Sequence, residues 1–306
     1  MRSLRPFLAA ALIAAAAPLS AQQLHPDHKL QRQLDQLVQG YQGSIGIYVQ
    51  HIPSGRIAAI RADSVYPTAS IVKLPILVGV FHAIAQGRLK YDQPLIYTDS
   101  LLYEGEDILG YFRDSTPIPL NQVTLLSITT SDNTASLWLQ ALAGGGAAIN
   151  EWLATNGFDS TRVNSRTPGR EGNRSVYGWG QTTPREIARL LLMIRQGKAV
   201  SQAASEEMYR HLTRIYWDGF ALSQLPPWVQ AASKQGFVNR SKSEVVLVNA
   251  PSGDYVFSVM TKENADSGYV GTNEGWEVAR KLSALLWKYF EPKHPYTPPA
   301  GQFRKP

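Results

Sequence analysis

Two hydrophobic periods follow one another near the beginning of the chain. Leu30, Leu34 and Leu37 recur at the spacing of one helical face. The helical pattern stops at a glycine, and residues 44–50 then alternate small and apolar positions. A Pro-Ser-Gly turn separates this run from a second one at residues 56–60. This order predicts a helix followed by a β-hairpin.

Residues 67–212 show a mainly helical pattern that glycine, proline and aspartate interrupt. The clearest helical segments in it are residues 120–127, 134–143 and 184–195. A second hairpin and a closing helix are predicted after them, at residues 244–248, 255–260 and 274–290. The pattern predicts an α/β (α+β) fold, in which one antiparallel sheet is formed from both chain ends, is flanked by helices and carries an inserted all-helical lobe.

The same pattern divides the chain into segments. Residues 22–290 are expected to form a single domain, with a sheet lobe at about 22–66 and 213–290 and a helical lobe at about 67–212. Residues 291–306 hold five prolines and no apolar period, which predicts an extended tail.

The first residues have the layout of a cleavable secretory signal. Arg2 and Arg5 precede an apolar run at residues 7–19, and small residues follow up to Ala21. The run is too short to span a bilayer. The sequence therefore predicts removal of residues 1–21 and export across the inner membrane, to the periplasm or the outside of the cell.

Composition narrows the classes of partner. The chain has no cysteine, which excludes disulfides and zinc–thiolate sites. Its net charge of +6 comes from scattered basic residues, so nucleic-acid binding has no support. The six histidines lack a metal-binding spacing. We therefore expect a monomer with no cofactor and no metal, no membrane span after signal cleavage, and a small molecule as its partner.

A serine and a lysine lie three positions apart in Ser70-Ile71-Val72-Lys73, at the start of a hydrophobic segment. Residues at this spacing share a helix face, so the lysine amine can reach the serine hydroxyl. Serine is a poor nucleophile until a base takes its proton, and a desolvated lysine can be that base. Taken alone the motif is common, and a surface pair is the alternative interpretation.

A second motif, Ser131-Asp132-Asn133, lies between two helical segments, where a turn would present its side chains inward. The serine could pass a proton to a leaving nitrogen, and the asparagine could hold a substrate amide. A helix cap at Asp132 is the alternative interpretation of this motif.

A third motif, Lys234-Gln235-Gly236, precedes the C-terminal strands. A glycine in an edge strand lets another backbone approach closely and pair with it. The lysine would add a fixed positive charge that faces a substrate carboxylate. An exposed lysine in a strand is the alternative interpretation.

Together the three motifs resemble the active-site signature of class A β-lactamases and penicillin-binding proteins, which are serine hydrolases of the β-lactamase/transpeptidase type. They occur in the family's order and at its spacings of about 60 and 100 residues. The resemblance also includes Ser54-Gly55-Arg56 and a Thr-Thr-Pro segment at residues 182–184, so it extends over most of the chain after the signal.

The resemblance implies a role for each motif residue and a β-lactam or a cell-wall peptide as substrate. Ser70 would attack the carbonyl, and the backbone N–H groups of Ser70 and Phe237 would form the oxyanion hole. Lys73 and Ser131 would move protons. The residues implied to bind the substrate are Asn133, Lys234, Gln235, Gly236 and Phe237.

The match fails in the loop before the Thr-Thr-Pro segment. This loop is called the Ω loop in the family, and it is atypical in this chain. Class A β-lactamases carry a loop glutamate that activates water for acyl release, and Thr167 occupies its place here. Glu171, four positions on, is either a displaced catalytic base or a solvated loop acid. Gln235 also replaces the usual threonine or serine, and Arg240 or Lys242 would supply the extra cation of many relatives. Acylation is expected to be intact and deacylation slow.

Three functions agree with these residues. The first is a class A β-lactamase-like hydrolase that opens β-lactam amides through an acyl-enzyme on Ser70, activated by Lys73. The second is a D,D-peptidase or another cell-wall amidohydrolase of the penicillin-binding type, which the missing loop glutamate favours. The third is a β-lactam sensor that is acylated once, against which the complete catalytic set argues.

Overall fold

The computed structural model describes residues 23–105 and 107–299, and the statements below concern these residues. The predicted signal peptide and residues 300–306 of the predicted tail lie outside them. Within the described part, no helix is long and apolar enough to cross a membrane.

Short strands from the whole length of the chain build one large and two small sheets. The strands of the described residues are β1 (His25–Pro26), β2 (Ser44–His51), β3 (Arg56–Ile60), β4 (Tyr66–Pro67), β5 (Pro94–Ile96), β6 (Pro117–Pro119), β7 (Arg162–Val163), β8 (Gly180–Thr182), β9 (Ala231–Val238), β10 (Ser241–Val248) and β11 (Tyr255–Lys262). The small sheets are β4-β8-β7 and β5-β6.

The main sheet has the strand order β1-β3-β2-β11-β10-β9. Its neighbouring strands are antiparallel, except that the two-residue β1 runs parallel to β3. Strands β2 and β11 come from opposite ends of the chain and pair at the centre of the sheet. The prediction of one sheet formed from both chain ends is confirmed.

Several of the helices begin directly after a residue whose side chain caps them. The helices of the described residues are α1 (His28–Leu37), α2 (Lys73–Ala85), α3 (Leu120–Thr129), α4 (Asn133–Leu142), α5 (Gly145–Thr155), α6 (Glu171–Tyr177), α7 (Pro184–Arg195), α8 (Gln202–Leu212) and α9 (Glu274–Phe290). Asp27 caps α1 by accepting a hydrogen bond from the Leu30 N–H. Thr183 caps α7, which has a proline at its first position.

Strand β10 is buried along its whole length because helices cover both faces of the sheet. Val246 and Val248 face one core, which the sheet forms with α1 and α9. Val245 and Leu247 face the other core, which the sheet shares with the helical lobe. Successive side chains of a strand point to opposite faces, so one apolar strand contributes to both cores.

Helix α2 forms the centre of the helical lobe. It is apolar on all sides, and nearly all of its residues are buried, as expected for a helix that other helices surround. Its first residue is nevertheless a lysine, Lys73, and the 3₁₀ turn Ala69–Val72 directly precedes it. Strand β9 contacts this turn, which brings the edge of the sheet to the N-terminal end of α2.

Candidate active site

Ser70 lies in the 3₁₀ turn and not in the regular helix that the sequence pattern suggested. The residue before it, Ala69, has a φ of 42°, a left-handed conformation that is uncommon for a residue other than glycine. The turn is held by hydrogen bonds from the Thr68 N–H to the Gly180 carbonyl and from the Ile71 N–H to the Thr68 carbonyl. This strained connection presents Ser70, half-buried, to the cleft.

Lys73 is fully buried at the start of α2 and reaches across to the loop before α4. Its Nζ donates to Asn133 Oδ1 at 2.8 Å and to Ser131 Oγ at 3.1 Å, and it also donates to the Ser131 carbonyl. The first two motifs therefore meet at one amine.

Asp132 fixes the loop that carries Ser131 and Asn133. One carboxylate oxygen accepts from the Ala135 N–H and caps α4, so the cap interpretation of this residue is confirmed. The other accepts from the backbone N–H groups of the 108–109 segment at 2.6 and 2.8 Å. Burial raises the pKa of Asp132, and the neighbouring Asp107 carboxyl adds to this effect. The cap leaves the side chains on either side of Asp132 free to contact Lys73.

The third motif completes the cluster from the edge strand β9. Lys234 is fully buried, and its Nζ donates to Ser131 Oγ at 3.2 Å and to the Gln235 carbonyl at 3.1 Å. The Gln235 side-chain oxygen is 3.4 Å from the same Nζ. The Ser131 hydroxyl thus lies between the two lysine amines.

Gly236 is the point where β9 meets the nucleophile turn. A Cβ atom at this position would lie 2.3 Å from the Thr68 carbonyl oxygen, 2.8 Å from the Ile71 nitrogen and 2.9 Å from the Ser70 nitrogen. Only glycine permits this approach. It places the backbone of β9, and with it Phe237, beside the N–H group of Ser70.

Two cavities of about 240 Å³ each adjoin Ser70, and both are also lined by Asn133 and Phe237. The first is lined by Ser70, Ser131, Asn133, Trp217, Phe220, Gln235, Gly236, Phe237 and Tyr269. The second is lined by Ala69, Ser70, Tyr103, Asn133, Tyr177, Gly178, Trp179, Phe237 and Val238. Among these lining residues, which belong to the described part of the chain, none is an aspartate or a glutamate.

The structure does not bring Glu171 to the cluster. Glu171 is exposed at the first position of α6, and its carboxylate accepts from the Gly169 N–H at 3.1 Å. Thr167 is buried against α5, near Gly146, and its hydroxyl donates to the Ser165 carbonyl. Neither residue lines either cavity, so the geometry favours the solvated-acid interpretation of Glu171.

The two cations considered near the third motif have other contacts. Arg240 donates to the Asn264 and Glu263 carbonyls. Lys242 is buried, donates to the Asn239 carbonyl, and has its Nζ 3.9 Å from the centroid of the Tyr269 ring. Burial lowers the pKa of Lys242 to about 8. Lys242 therefore contacts the cleft indirectly, through Tyr269, which lines the first cavity.

Sequence reasoning missed the aromatic lining of the cleft. Trp217 and Phe220 come from the segment between α8 and β9, and Tyr269 from the segment before α9. Tyr103 and Trp179, which line the second cavity, pack edge to face with 5.1 Å between their ring centroids. These residues belong to segments without a hydrophobic period, and an isolated aromatic residue is no specific signal of a binding site.

Comparison with known proteins agrees with this fold. Beta-lactamase VEB-1 of Pseudomonas aeruginosa is 23% identical over 273 residues, which cover 84% of this chain and 89% of that protein. A solved structure of PBP-A is 28% identical with a TM-score of 0.78, and the match covers 88% of this chain and 98% of that one. An ancestral class A β-lactamase, 23% identical with a TM-score of 0.75, has the same fold.

A family model covers most of the chain. It describes the beta-lactamase enzyme family and matches residues 29–290, which include all three motifs and the strands and helices that carry them. The predicted membership is confirmed, and the chain belongs to the beta-lactamase enzyme family.

Proposed function

We propose that this protein is a serine hydrolase that opens β-lactam amides through an acyl-enzyme on Ser70. The observation that carries the proposal is the position of the Ser131 hydroxyl, 3.1 Å from Lys73 Nζ and 3.2 Å from Lys234 Nζ in the cavity that Ser70 also lines. Membership of the family supports it, as does the similarity to VEB-1, which is named a β-lactamase.

In acylation, the Ser70 oxygen forms a bond to the lactam carbonyl carbon and gives its proton to the neutral amine of Lys73. The carbonyl oxygen becomes negative and is stabilised by the backbone N–H groups of Ser70 and Phe237. The ring C–N bond then breaks, Ser131 gives its proton to the leaving nitrogen, and Lys73, 3.1 Å away, returns to Ser131 the proton that it took from Ser70. The close approach at Gly236 supports this arrangement of the two N–H groups.

The polar side chains around the reacting atoms bind the rest of the substrate. Lys234 and Gln235 lie together at the edge strand, where a cation and an amide suit a substrate carboxylate. The Asn133 side-chain oxygen accepts a hydrogen bond from Lys73. The NH₂ group of the same side chain therefore remains to donate to a substrate amide carbonyl.

Release of the acyl group requires water to attack the ester carbonyl, and this step is slow in our proposal. A carboxylate base is the usual means of activating that water, and its loss typically costs about 10² to 10⁴-fold in rate. The described lining of both cavities offers no carboxylate, and Glu171 is exposed elsewhere. We infer that the acyl-enzyme accumulates.

The test is the intact mass of the protein after brief exposure to benzylpenicillin, followed over time. We expect a mass adduct on the wild type that maps to Ser70 and decays slowly, and no adduct on Ser70→Ala. An adduct that persists in Ser70→Ala, or that maps to Ser131, would contradict the mechanism.

A D,D-peptidase is the second candidate function, and two observations favour it. The described residues that line the cavities include no carboxylate, and PBP-A, at 28% identity, is more similar to this chain than VEB-1 or the ancestral β-lactamase, each at 23%. An acyl-enzyme complex of a PBP-A mutant with penicillin G matches this chain with a TM-score of 0.77. Release of D-alanine from a peptide that ends in D-Ala-D-Ala, by the wild type and not by Ser70→Ala, would establish this activity.

We further propose that the protein is exported by a signal at residues 1–21 and acts in the periplasm or outside the cell, where penicillins and cell-wall peptides are found. The supporting observations are the basic and then apolar sequence of these residues and the small residues at the proposed cleavage site.

A further inference from the structure

Glu244 is a buried acid in an apolar part of strand β10. It is 1% exposed, and four apolar residues, Val245–Val248, follow it. A carboxylate without partners is costly to bury, so its hydrogen bonds indicate what keeps it there. None of the reaction steps above uses this residue.

The Glu244 carboxylate joins two segments that are separate in the sequence. Ser233 Oγ donates to Oε1 at 2.7 Å, and Ser233 directly precedes Lys234 in β9. The Ala221 N–H donates to Oε2 at 2.9 Å, and Ala221 directly follows Phe220. One side chain therefore connects the strand of Lys234 with the segment that carries Phe220.

The second segment, residues 216–221, forms the aromatic wall of the first cavity. Trp217 and Phe220 line this cavity together with Ser70. At one end of the wall, Trp217 Nε1 donates to the Thr130 carbonyl at 2.8 Å, beside the loop that carries Ser131. At the other end, the Phe220 ring packs on the Phe237 ring with 4.5 Å between the centroids.

The backbone N–H group of Ala221, at the end of the wall that is nearest the main sheet, needs a hydrogen-bond acceptor. The Ala221 N–H is the first of the 3₁₀ turn Ala221–Gln224, so it has no acceptor within that turn. Phe220, at the N-cap position, offers no side-chain cap. The carboxylate of Glu244, in strand β10, supplies this acceptor.

We propose that Glu244 is a positioning residue, which fixes the aromatic wall against strand β9 and thereby sets the width of the cavity that receives the substrate. The inference rests on the proposed function, because it assumes that the substrate binds in this cavity when it acylates Ser70. The wall is then attached at both ends, to the helical lobe by Trp217 and to the sheet by Glu244.

The partners of Glu244 offset the cost of burying its charge only in part. Burial raises the pKa of Glu244 to about 7, while the Ser233 hydroxyl, the Ala221 N–H and the positive charge of Lys234 act in the opposite direction. Lys234 is the cation that faces it, so the ionised carboxylate is also coupled to the substrate-binding strand.

Two pairs of variants test the proposal. Glu244→Leu removes the acceptor for the wall, whereas Glu244→Gln keeps a carbonyl for the Ala221 N–H and an amide that can donate to Ser233. Ser233→Ala and Ser258→Ala each remove a buried serine hydroxyl with a 2.7 Å hydrogen bond in the same sheet, but Ser258 donates to the Pro184 carbonyl, away from the wall.

The first measurement is the dependence of the acylation rate on benzylpenicillin concentration, which separates the dissociation constant of the initial complex from the rate of the chemical step. We expect Glu244→Leu to raise the dissociation constant about tenfold, as for one lost hydrogen bond to a charged group, and to change the chemical step less. Glu244→Gln should restore the wild-type constant to within about twofold, since it keeps the acceptor.

The second measurement is hydrogen exchange of peptides that contain residues 216–221, which does not depend on acylation. We expect faster exchange in Glu244→Leu and in Ser233→Ala than in the wild type, and unchanged exchange in Ser258→Ala. If Glu244→Leu does not fold, Ser233→Ala decides the matter against its Ser258→Ala control.

The outcomes separate the two proposals. A wild type without any acylation contradicts the proposed function, and the exchange data still judge the role of Glu244. A wild type that is acylated, with Glu244→Leu unchanged in both measurements, overturns the positioning role. Equal effects of Ser233→Ala and Ser258→Ala would overturn it too, because they would reflect general loss of stability.

Discussion

At the scale of single residues, the chemistry depends on what the Ser131 hydroxyl can accept and donate. Its oxygen is within hydrogen-bonding distance of Lys73 Nζ and Lys234 Nζ. Once Lys73 has taken the Ser70 proton, both amines are ammonium groups that can donate to the two lone pairs of the hydroxyl oxygen. The proton of Ser131 then remains for a third group, and the leaving nitrogen of the substrate is the group that the proposed reaction brings there.

Lys73→Ala tests the base in this cluster. Without the amine the serine proton has no acceptor of suitable strength, and we expect acylation by benzylpenicillin to slow by about 10² to 10⁴-fold. Stopped-flow mixing or timed intact mass measures the rate, and circular dichroism checks the fold. An acylation rate near that of the wild type would mean that another base takes the proton.

Glu171→Gln tests whether Glu171 is a displaced catalytic base or a solvated loop acid, the two interpretations that the sequence allowed. Because its carboxylate is exposed and contacts the Gly169 N–H within its own loop, we expect the adduct to form and decay as in the wild type. The measurement is the decay of the acyl-enzyme mass in both proteins, side by side. A variant that traps the adduct would assign Glu171 a role in deacylation.

The motif residues could be predicted from the sequence because each motif is local, and its spacing sets which side chains share a turn. The meeting of Lys73, Ser131 and Lys234 could be inferred only through the resemblance to a family. The aromatic wall and the Glu244 contact could not be predicted, since Phe220, Ala221 and Ser233 come together through the tertiary fold alone.

At the scale of secondary-structure elements, the regular segments follow the hydrophobic period and the irregular ones do not. Helices α7 and α9 have the predicted bounds, 184–195 and 274–290, because an amphipathic period and clear starts define them. The nucleophile turn departs from the prediction, since Ala69 takes a left-handed conformation that no hydrophobic pattern encodes.

Gly236→Ala tests the contact between β9 and the nucleophile turn. The added Cβ would lie 2.3 Å from the Thr68 carbonyl oxygen, so the strand must move away from Ser70. We expect acylation to slow by about 10²-fold, the usual cost of losing one oxyanion donor. Gly172→Ala is the control, because a Cβ there meets nothing within 4 Å. Equal acylation rates in the two variants would contradict this role of the strand.

Glu244 also predicts a dependence of stability on pH. Its pKa is about 7 in the folded protein and 4.5 for the unperturbed group, so the folded state binds the proton more tightly. The associated stability is present below pH 4.5 and is lost as the pH rises to about 7. Relative to Glu244→Gln, the wild type should lose on the order of 3 kcal/mol of unfolding free energy between these limits.

Urea unfolding of the wild type and of Glu244→Gln at acidic and mildly alkaline pH measures this difference. The comparison cancels the contribution of the other titrating groups, which both proteins share. A difference between the two proteins that does not change with pH would show that Glu244 titrates near its ordinary range.

At the scale of the whole molecule, a hydrogen bond joins the two ends of the described chain. Asp27 caps α1 and accepts from the Tyr289 hydroxyl at 2.8 Å, so the first helix is attached to the last. The predicted monomer and the lobe boundaries near residues 66 and 213 remain predictions. The sheet from both chain ends could be predicted because its strands are strongly periodic, whereas the small sheets of two- and three-residue strands carry no such signal.

The site of signal cleavage is a prediction at this scale. Removal of residues 1–21 leaves Asp27 and its contacts intact, so processing should not affect the fold. We expect the exported protein to begin at Gln22, as N-terminal sequencing of the periplasmic or secreted fraction would show. Recovery of only the unprocessed chain from the cytoplasm would contradict export by this signal.

The pairing of β2 with β11 also determines when the main sheet can form during synthesis of the chain. Synthesis begins at the N-terminus, so β2 waits for its central partner until residue 262 has been made. Pairings between distant parts of a chain form slowly, and partly folded chains expose apolar surface meanwhile. Strand β9, which completes the surroundings of Ser70, is also made late. The surroundings of Ser70 therefore cannot be complete until residue 238 has been made, late in the synthesis of the chain.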